Sequence, residues 1–183
     1  MYYALIYYPD IKNERFHTLR KKYEPYYSLI PEHLPLIFPV PELIGLKKLE
    51  AHINETLTQW KPFKVHFHGL QKTWDQWLFL VLKEGNDFMI KLHDELYTDF
   101  LTPYLRNDLP YTPHVGLGFF SKGQYDFTNP TAQLSLDEKL YNKAKMEFEN
   151  LRLDFWRTID HLTLIKINTD FSKCWDLMEF RIN

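Results

Sequence analysis

The sequence predicts an α+β fold built on mixed sheets, and three observations lead there. Segments with strand and helix periodicity alternate along the chain, some strands follow one another with no helix between them, and no polar linker is long enough to separate independent domains. The order is strand, helix, strand, helix, strand, strand, helix, strand, helix, then three strands. A doubly wound parallel sheet needs a crossover between its strands, so adjacent strands read as hairpins. Residues 1–183 are expected to form a single domain of two intimately packed lobes.

Tyr2–Tyr8 is rich in aromatic residues and stops at Pro9, as a strand does. Asp10 is placed to cap a helix whose apolar positions Phe16, Leu19 and Tyr23 recur at helical spacing. Pro25 and Pro31 bracket a loop, and a strand carrying His33 runs on to Phe38, ended by Pro39 and Pro41. Apolar residues at 43, 46, 49, 53, 57 and 60 make Glu42–Trp60 an amphipathic helix, closed by Pro62. Phe63–His68 alternates strictly, with Phe63, Val65 and Phe67 on one face and Lys64, His66 and His68 on the other. Trp77–Leu82 is a denser apolar strand, hairpinned to it through Gly69–Gln76. Phe88–Leu105 reads as helix through Leu92, Leu96 and Phe100, and Pro110 and Pro113 lead into a strand at His114. A long loop spans Ser121–Gln133. Ser135-Leu136-Asp137-Glu138 has the form of a capping box opening a helix to about Asn150, and Leu151–Trp156, His161–Ile167 and Trp175–Ile182 read as strands.

Composition narrows the function. A net charge of −2, from 22 basic and 24 acidic residues, argues against a duplex-DNA binder but leaves room for a small phosphorylated ligand or one nucleic-acid end. With 45% hydrophobic and 17% aromatic residues, a packed core is expected rather than disorder. The one cysteine, Cys174, excludes an intrachain disulfide and a cysteine zinc cluster, and reads as a small buried hydrophobe. The N-terminal segment lacks the basic start and apolar core of a secretion signal, and no run approaches the roughly 18 apolar residues of a membrane helix. A soluble cytoplasmic protein is expected, with no membrane partner and the oligomeric state open.

The two histidine strands carry the candidate chemistry. His33 in Ile30-Pro31-Glu32-His33-Leu34 and His114 in Tyr111-Thr112-Pro113-His114-Val115 stand nearly half a chain apart, which suggests a duplication contributing one histidine from each half. By strand alternation Pro35 and Ile37 share the face of His33, with Leu34, Leu36 and Phe38 turned to the core. Likewise Gly116, Gly118 and Phe120 share the face of His114, with Val115, Leu117 and Phe119 buried. If the halves are related by a pseudo-two-fold axis, those open faces form one cleft. Two imidazoles, each with an ordinary pKa of about 6.5, can divide the roles of base and acid near neutral pH, which suits transfer or hydrolysis of a phosphodiester.

These paired strands, with the words Ser28-Leu29-Ile30-Pro31-Glu32-His33-Leu34 and Thr112-Pro113-His114-Val115, resemble the 2H phosphoesterase superfamily, the LigT or 2′-5′ RNA ligase-like proteins, and within it the small bacterial YjcG-type branch. The N-terminal strand and the overall length extend the resemblance across the chain. It implies a bilobal LigT-like α+β fold, with two lobes of antiparallel or mixed sheet and helices outside. It further implies a metal-independent cyclic phosphodiesterase or 2′-5′ RNA ligase-like hydrolase, without cofactor, acting on a 2′,3′-cyclic or 2′-5′ nucleotide or RNA-end phosphodiester. The family motif is His-x-Thr/Ser-x, used twice. Carried over, His33 and His114 become the acid–base pair, and the substrate-binding hydroxyls fall on Pro35 and Gly116, which have none. A hydrogen bond to a charged group contributes about 1.5–3 kcal/mol, so two lost hydroxyls correspond to roughly 10²–10⁴ in rate. The same departure supports a second expectation, a non-catalytic protein binding a phosphorylated nucleotide or RNA end.

Other histidines are weighed against these. His161-Leu162-Thr163-Leu164 is the one literal His-x-Thr-x, but it lacks the preceding proline and the half-chain spacing, so it reads as a late strand of the sheet. His66 and His68 share a strand face and support a third expectation, a metal hydrolase needing a further ligand, although two histidines at this spacing also suit a solvated face. His17, His52 and His93 fall in helices among charged residues and read as surface groups. Lys47, Lys48, Lys139, Lys143 and Lys145 read as solvated faces. Tyr2, Tyr3, Tyr7, Tyr8, Trp74 and Trp77 are able to stack a base, yet most of them are expected in the core.

Overall fold

The computed structural model of the chain describes residues 1–73, 76–107, 110–122 and 135–183. Its elements are β1 (Tyr2–Tyr7), α1 (Glu14–Tyr23), β2 (Leu34–Pro41), α2 (Leu46–Leu57), β3 (Phe63–Lys72), β4 (Trp77–Leu82), α3 (Asn86–Leu96), β5 (His114–Phe119), α4 (Glu138–Glu149), β6 (Asp154–Ile159), β7 (His161–Ile167) and β8 (Cys174–Arg181). The strands form two antiparallel four-stranded sheets, ordered β2-β1-β7-β8 and β5-β4-β3-β6. The fold is α+β, as expected. No helix among the described residues is long and apolar enough to cross a membrane.

Two helices cross between the sheets. α1 follows β1 in the chain but packs against β5 of the other sheet, while α3 follows β4 and packs against β2. One apolar cluster joins both sheets, including Leu5, Leu34 and Leu36 from the first and Val65, Leu80 and Val115 from the second. The edge strands β2 and β5, which carry or follow the two motif histidines, therefore lie beside each other.

Where elements start and stop, local chemistry corrects the sequence reading. α1 is capped by Asn13, whose side chain accepts from the Phe16 amide, and not by Asp10. Glu42–Ile44 forms a separate 3₁₀ turn, and α2 begins only after Gly45, whose φ of +84° breaks the helix. Leu43 is consequently 98% exposed instead of packed. Phe88–Leu105 is not one helix: α3 ends at Leu96, and a 3₁₀ stretch, Asp99–Tyr104, with Pro103 inside, follows it. α4 takes Asp137 as its cap, accepting from the Leu140 amide, two residues beyond the capping box expected at Ser135. The loop expected over Ser121–Gln133 falls outside the described residues from position 123 onward, and Trp74 is also outside them.

Bulges overturn the expected faces of both histidine strands. In β2 the register against β1 slips twice, around Leu36 and around Phe38–Pro39, because three prolines withhold ladder donors from this edge strand. Pro35 and Ile37 are buried, and Phe38, expected in the core, is 38% exposed. In β5 the register against β4 slips at Leu117, between Gly116 and Gly118. Beyond the slip the faces exchange, so Phe120 is fully buried and Phe119 only half-buried.

Candidate functional site

His33 precedes β2 and His114 opens β5, so both imidazoles sit at the heads of adjoining edge strands. Each ring is locked in the same way. His33 Nδ1 lies 2.9 Å from the Pro31 carbonyl oxygen, and His114 Nδ1 lies 2.6 Å from the Thr112 carbonyl oxygen, in each case two residues back. A carbonyl oxygen only accepts, so Nδ1 carries the proton in both rings, and Nε2 is the nitrogen left for substrate. Burial pushes both imidazoles down to about 4, with the backbone hydrogen bond opposing it in each. Charge on His33 further disfavours protonation of His114.

The loop before His33 is anchored from α1. Arg20 is buried at 1% exposure and bonds Glu24 at 3.0 Å and Glu32 at 3.4 Å, while the other oxygen of Glu32 accepts from the Ile11 amide. Glu32 is the chain neighbour of His33, so this buried network fixes the approach to β2. Arg20 also lowers the affinity of His33 for a proton. His114 is held by stacking on Phe79, with ring centroids 3.5 Å apart and planes 10° apart.

Tyr111 ties the two strands together. Its hydroxyl donates to the Pro35 carbonyl oxygen at 2.7 Å, and its ring stacks on His93 at 3.8 Å. His93 is therefore a buried residue at 3% exposure and not the surface group expected. His17 and His52 are half-buried, bonded to the carbonyl oxygens of Ile11 and Leu96. These corrections share a cause: helical periodicity shows which face is apolar, but not which ring or carbonyl an imidazole meets once the elements pack.

The Pro35 carbonyl is engaged by Tyr111, and a Cβ at Gly116 would stand 3.3 Å from the Trp77 ring. His161 opens β7, bonded to Asp160 at 2.6 Å, with Thr163 buried. Cys174 is half-buried at the start of β8 rather than fully enclosed, and burial raises its thiol to about 11. Tyr3, Tyr7 and Trp77 are buried, in keeping with a core role for most of the aromatics, whereas Tyr2 and Tyr8 are half-buried. A cavity of about 470 Å³ lined by Tyr8, Asp10, Pro31, Glu32, Cys174 and Asp176 carries three carboxylates, of which Glu32 is paired with Arg20 and Asp10 with Lys12.

A second histidine pair lies on the sheet that carries His114. His66 and His68 on β3 face Asp154 on β6, and Glu84 follows β4. His66 Nδ1 bonds Glu84, its Nε2 stands 2.6 Å from Asp154 Oδ1, and His68 Nδ1 stands 3.4 Å from Asp154 Oδ2. Carboxylates only accept, so both nitrogens of His66 donate. Asp154 foremost, aided by Glu84, raises its pKa above the ordinary imidazole value. The Trp156 ring stacks over His66 at 4.6 Å. Sequence spacing offered His66 and His68, but not Asp154 or Glu84, which only the pairing of β3 with β6 and β4 brings to them.

Comparison with known proteins agrees with this architecture. The chain is 22% identical over 154 residues to "Putative phosphoesterase GK0864" of Geobacillus kaustophilus (strain HTA426), covering 82% of this chain and 87% of that one. It is 24% identical over 121 residues to a "Putative phosphoesterase" from Geobacillus thermodenitrificans (strain NG80-2), covering 64% of this chain and 69% of the relative. Among solved structures, TT0787 of Thermus thermophilus superposes with a TM-score of 0.64 at 13% identity, covering 100% of this chain and 98% of that chain. LigT of E. coli in complex with 3′-AMP superposes with a TM-score of 0.53 at 12% identity, covering 99% of this chain and 96% of LigT. The model of the 2′-5′ RNA ligase superfamily matches residues 8–170, and the chain belongs to that family, the 2H phosphoesterases.

Proposed function

We propose that the chain is a metal-independent phosphoesterase that opens a 2′,3′-cyclic or 2′-5′ nucleotide or RNA-end phosphodiester with His33 and His114 as acid and base. The observation that carries this reading is the matched lock on the two rings: Nδ1–H of each donates to the carbonyl oxygen two residues back, at 2.9 and 2.6 Å, which commits Nε2 of each to the reaction. The phosphoesterase descriptions of the relatives and the nucleotide bound by LigT support the substrate class. The two sheets serve as two lobes of one domain, and the substrate bridges them.

The chemistry follows from the protonation states. In the free protein both imidazoles are neutral at pH 7, held at about 4 by burial. A phosphodiester carries a negative charge, which favours the imidazolium form of a ring beside it. One Nε2 then gives its proton to the departing ribose oxygen as the P–O bond breaks. The other, still neutral, takes a proton from the water that forms the new P–O bond. Protons balance over the cycle, since the base ends charged and the acid neutral, and solvent restores both.

A panel of 2′,3′-cyclic nucleotides and 2′-5′-linked dinucleotides, offered with a chelator present, tests the reading. Turnover is expected in the native chain and is lost in His33→Ala and in His114→Ala. Undiminished turnover in both variants would sink the assignment. The second reading, a nucleotide or RNA-end binding protein without turnover, is favoured by the absent hydroxyls at Pro35 and Gly116. It predicts binding of a nucleoside monophosphate in the native chain with no hydrolysis of any panel member.

A further inference from the structure

The cluster on β3 and β6 has the donor set and the supporting bond of a metal centre. We propose that His66 Nε2, His68 Nδ1 and one oxygen of Asp154 bind a divalent ion of the zinc class, with Glu84 orienting His66. The three ligand residues each offer one donor atom, and these atoms lie within 4.8 Å of one another. Around a tetrahedral zinc ion with bonds of about 2.0–2.1 Å, neighbouring donors stand roughly 3.3 Å apart. His68 Nδ1 stands 3.4 Å from Asp154 Oδ2 and His66 Nε2 stands 2.6 Å from Oδ1, so each imidazole faces a different oxygen of the carboxylate, and settling one oxygen on an ion requires these contacts to relax toward that spacing.

The arrangement around His66 gives the site its character. Glu84 accepts from His66 Nδ1, so the ion takes the place of the proton that Nε2 gives to Asp154, and binding releases that proton. A carboxylate behind a ligating imidazole fixes ring orientation and raises its basicity, and such supports are worth about 10–100-fold in metal affinity. Trp156 stacked on His66 restricts rotation of the ring. Two imidazoles and a carboxylate suit zinc, cobalt(II) or nickel(II) better than the all-oxygen preference of magnesium or calcium. Lys83 lies 3.8 Å from Glu84 and acts on Asp154, opposing the cation, but the two carboxylates outnumber it. Three protein ligands leave a fourth position for water, and the exposure of His68 and Asp154, 47% and 59%, keeps it reachable.

The strand pairings place the cluster on the sheet that also carries His114. β3 and β5 flank β4, so the cluster stands about 10 Å from the head of β5 at the usual strand spacing. It is a site separate from the histidine pair of the proposed reaction.

Calorimetric titration of the chelator-stripped full chain with Zn²⁺ tests the proposal, with no substrate present, so its outcome is independent of the phosphoesterase reading. One equivalent is expected to bind. His68→Ala and Asp154→Asn, both changes of exposed side chains, are each expected to weaken binding tenfold or more, and Glu84→Gln about tenfold. His161→Ala, which removes a different surface imidazole, leaves it unchanged. With Co²⁺, paramagnetic shifts are expected on the ring protons of His66 and His68. Equal Zn²⁺ affinity in the native chain and the His68→Ala/Asp154→Asn double variant would overturn the proposal, as would Co²⁺ shifts centred on His33 or His114.

Discussion

His33 and His114 each give one ring nitrogen to a peptide carbonyl, whereas His66 gives both of its nitrogens to carboxylates. The first pair is pushed below the ordinary imidazole value and the single ring of the second is pushed above it. A carbonyl fixes a tautomer and favours the cation too weakly to offset burial, while a carboxylate favours the cation strongly. Glu32 shows how narrow the difference is. It adjoins His33, yet its oxygens are committed to the Ile11 amide and to Arg20, so His33 does not acquire a carboxylate partner as His66 does.

The comparison can be broken most severely by deleting the carbonyl-locked rings. His33→Ala or His114→Ala is expected to lower turnover of a cyclic phosphodiester by about 10²–10⁴, the usual contribution of a positioned acid or base. Steady-state hydrolysis of a 2′,3′-cyclic nucleotide reads it. Arg20→Met comes next, because it leaves Glu24 and Glu32 buried without their cation. A loss of about 3–5 kcal/mol is expected in urea denaturation. The NMR titration of His33 should also move upward, since Arg20 now lowers it.

Gly116→Thr would test whether a motif hydroxyl can be restored. The structure predicts crowding against Trp77, at a cost of about 1–3 kcal/mol read from the thermal midpoint. The pH dependence sharpens the comparison further. Since both motif histidines bind protons less readily when folded, the stability they confer is complete above about pH 6.5 and is lost as pH falls toward 4. By the same logic kcat/KM should rise as pH falls from 7 toward 5, because the free protein then holds more of the singly protonated pair. The smallest effect is expected from Tyr111→Phe, which removes one hydrogen bond worth about 0.5–1.5 kcal/mol and leaves the stack on His93 in place.

Periodicity and proline made the order of the strands legible in the sequence, although β6 runs Asp154–Ile159, three residues beyond the expected Leu151–Trp156, because Arg152 takes a positive φ of 49° there. The faces of β2 and β5 were not legible, because period-two reasoning holds only until a bulge adds a residue. β2 slips at Leu36 and again at Phe38–Pro39, and β5 slips at Leu117. Helix ends were displaced for a similar reason: Asn13 and Asp137 compete successfully with Asp10 and Ser135 for the cap, and sequence offers both members of each pair. The supports of the candidate site come from long-range contacts. Arg20 meets Glu32 and Tyr111 meets Pro35 only once α1 and β5 have folded against their neighbours. A hint of Tyr111 was present in the word Tyr111-Thr112-Pro113-His114, just ahead of the histidine it helps to place.

Among the described residues the two sheets share no ladder, and the hydroxyl of Tyr111 on the Pro35 carbonyl is a tie of a different kind from the bonds within each sheet. A ladder sets spacing in fixed steps of one strand width. A side-chain tie sets it by the length of the side chain, which is a finer gauge. Tyr7 on the Thr158 carbonyl and Arg157 on the Pro9 carbonyl are ties of the same kind, so the spacing of the two sheets is set by side chains and not by strand pairing. In a scaffold of this kind the spacing of the two edge strands depends on side chains at the seam, while each sheet keeps its own ladder.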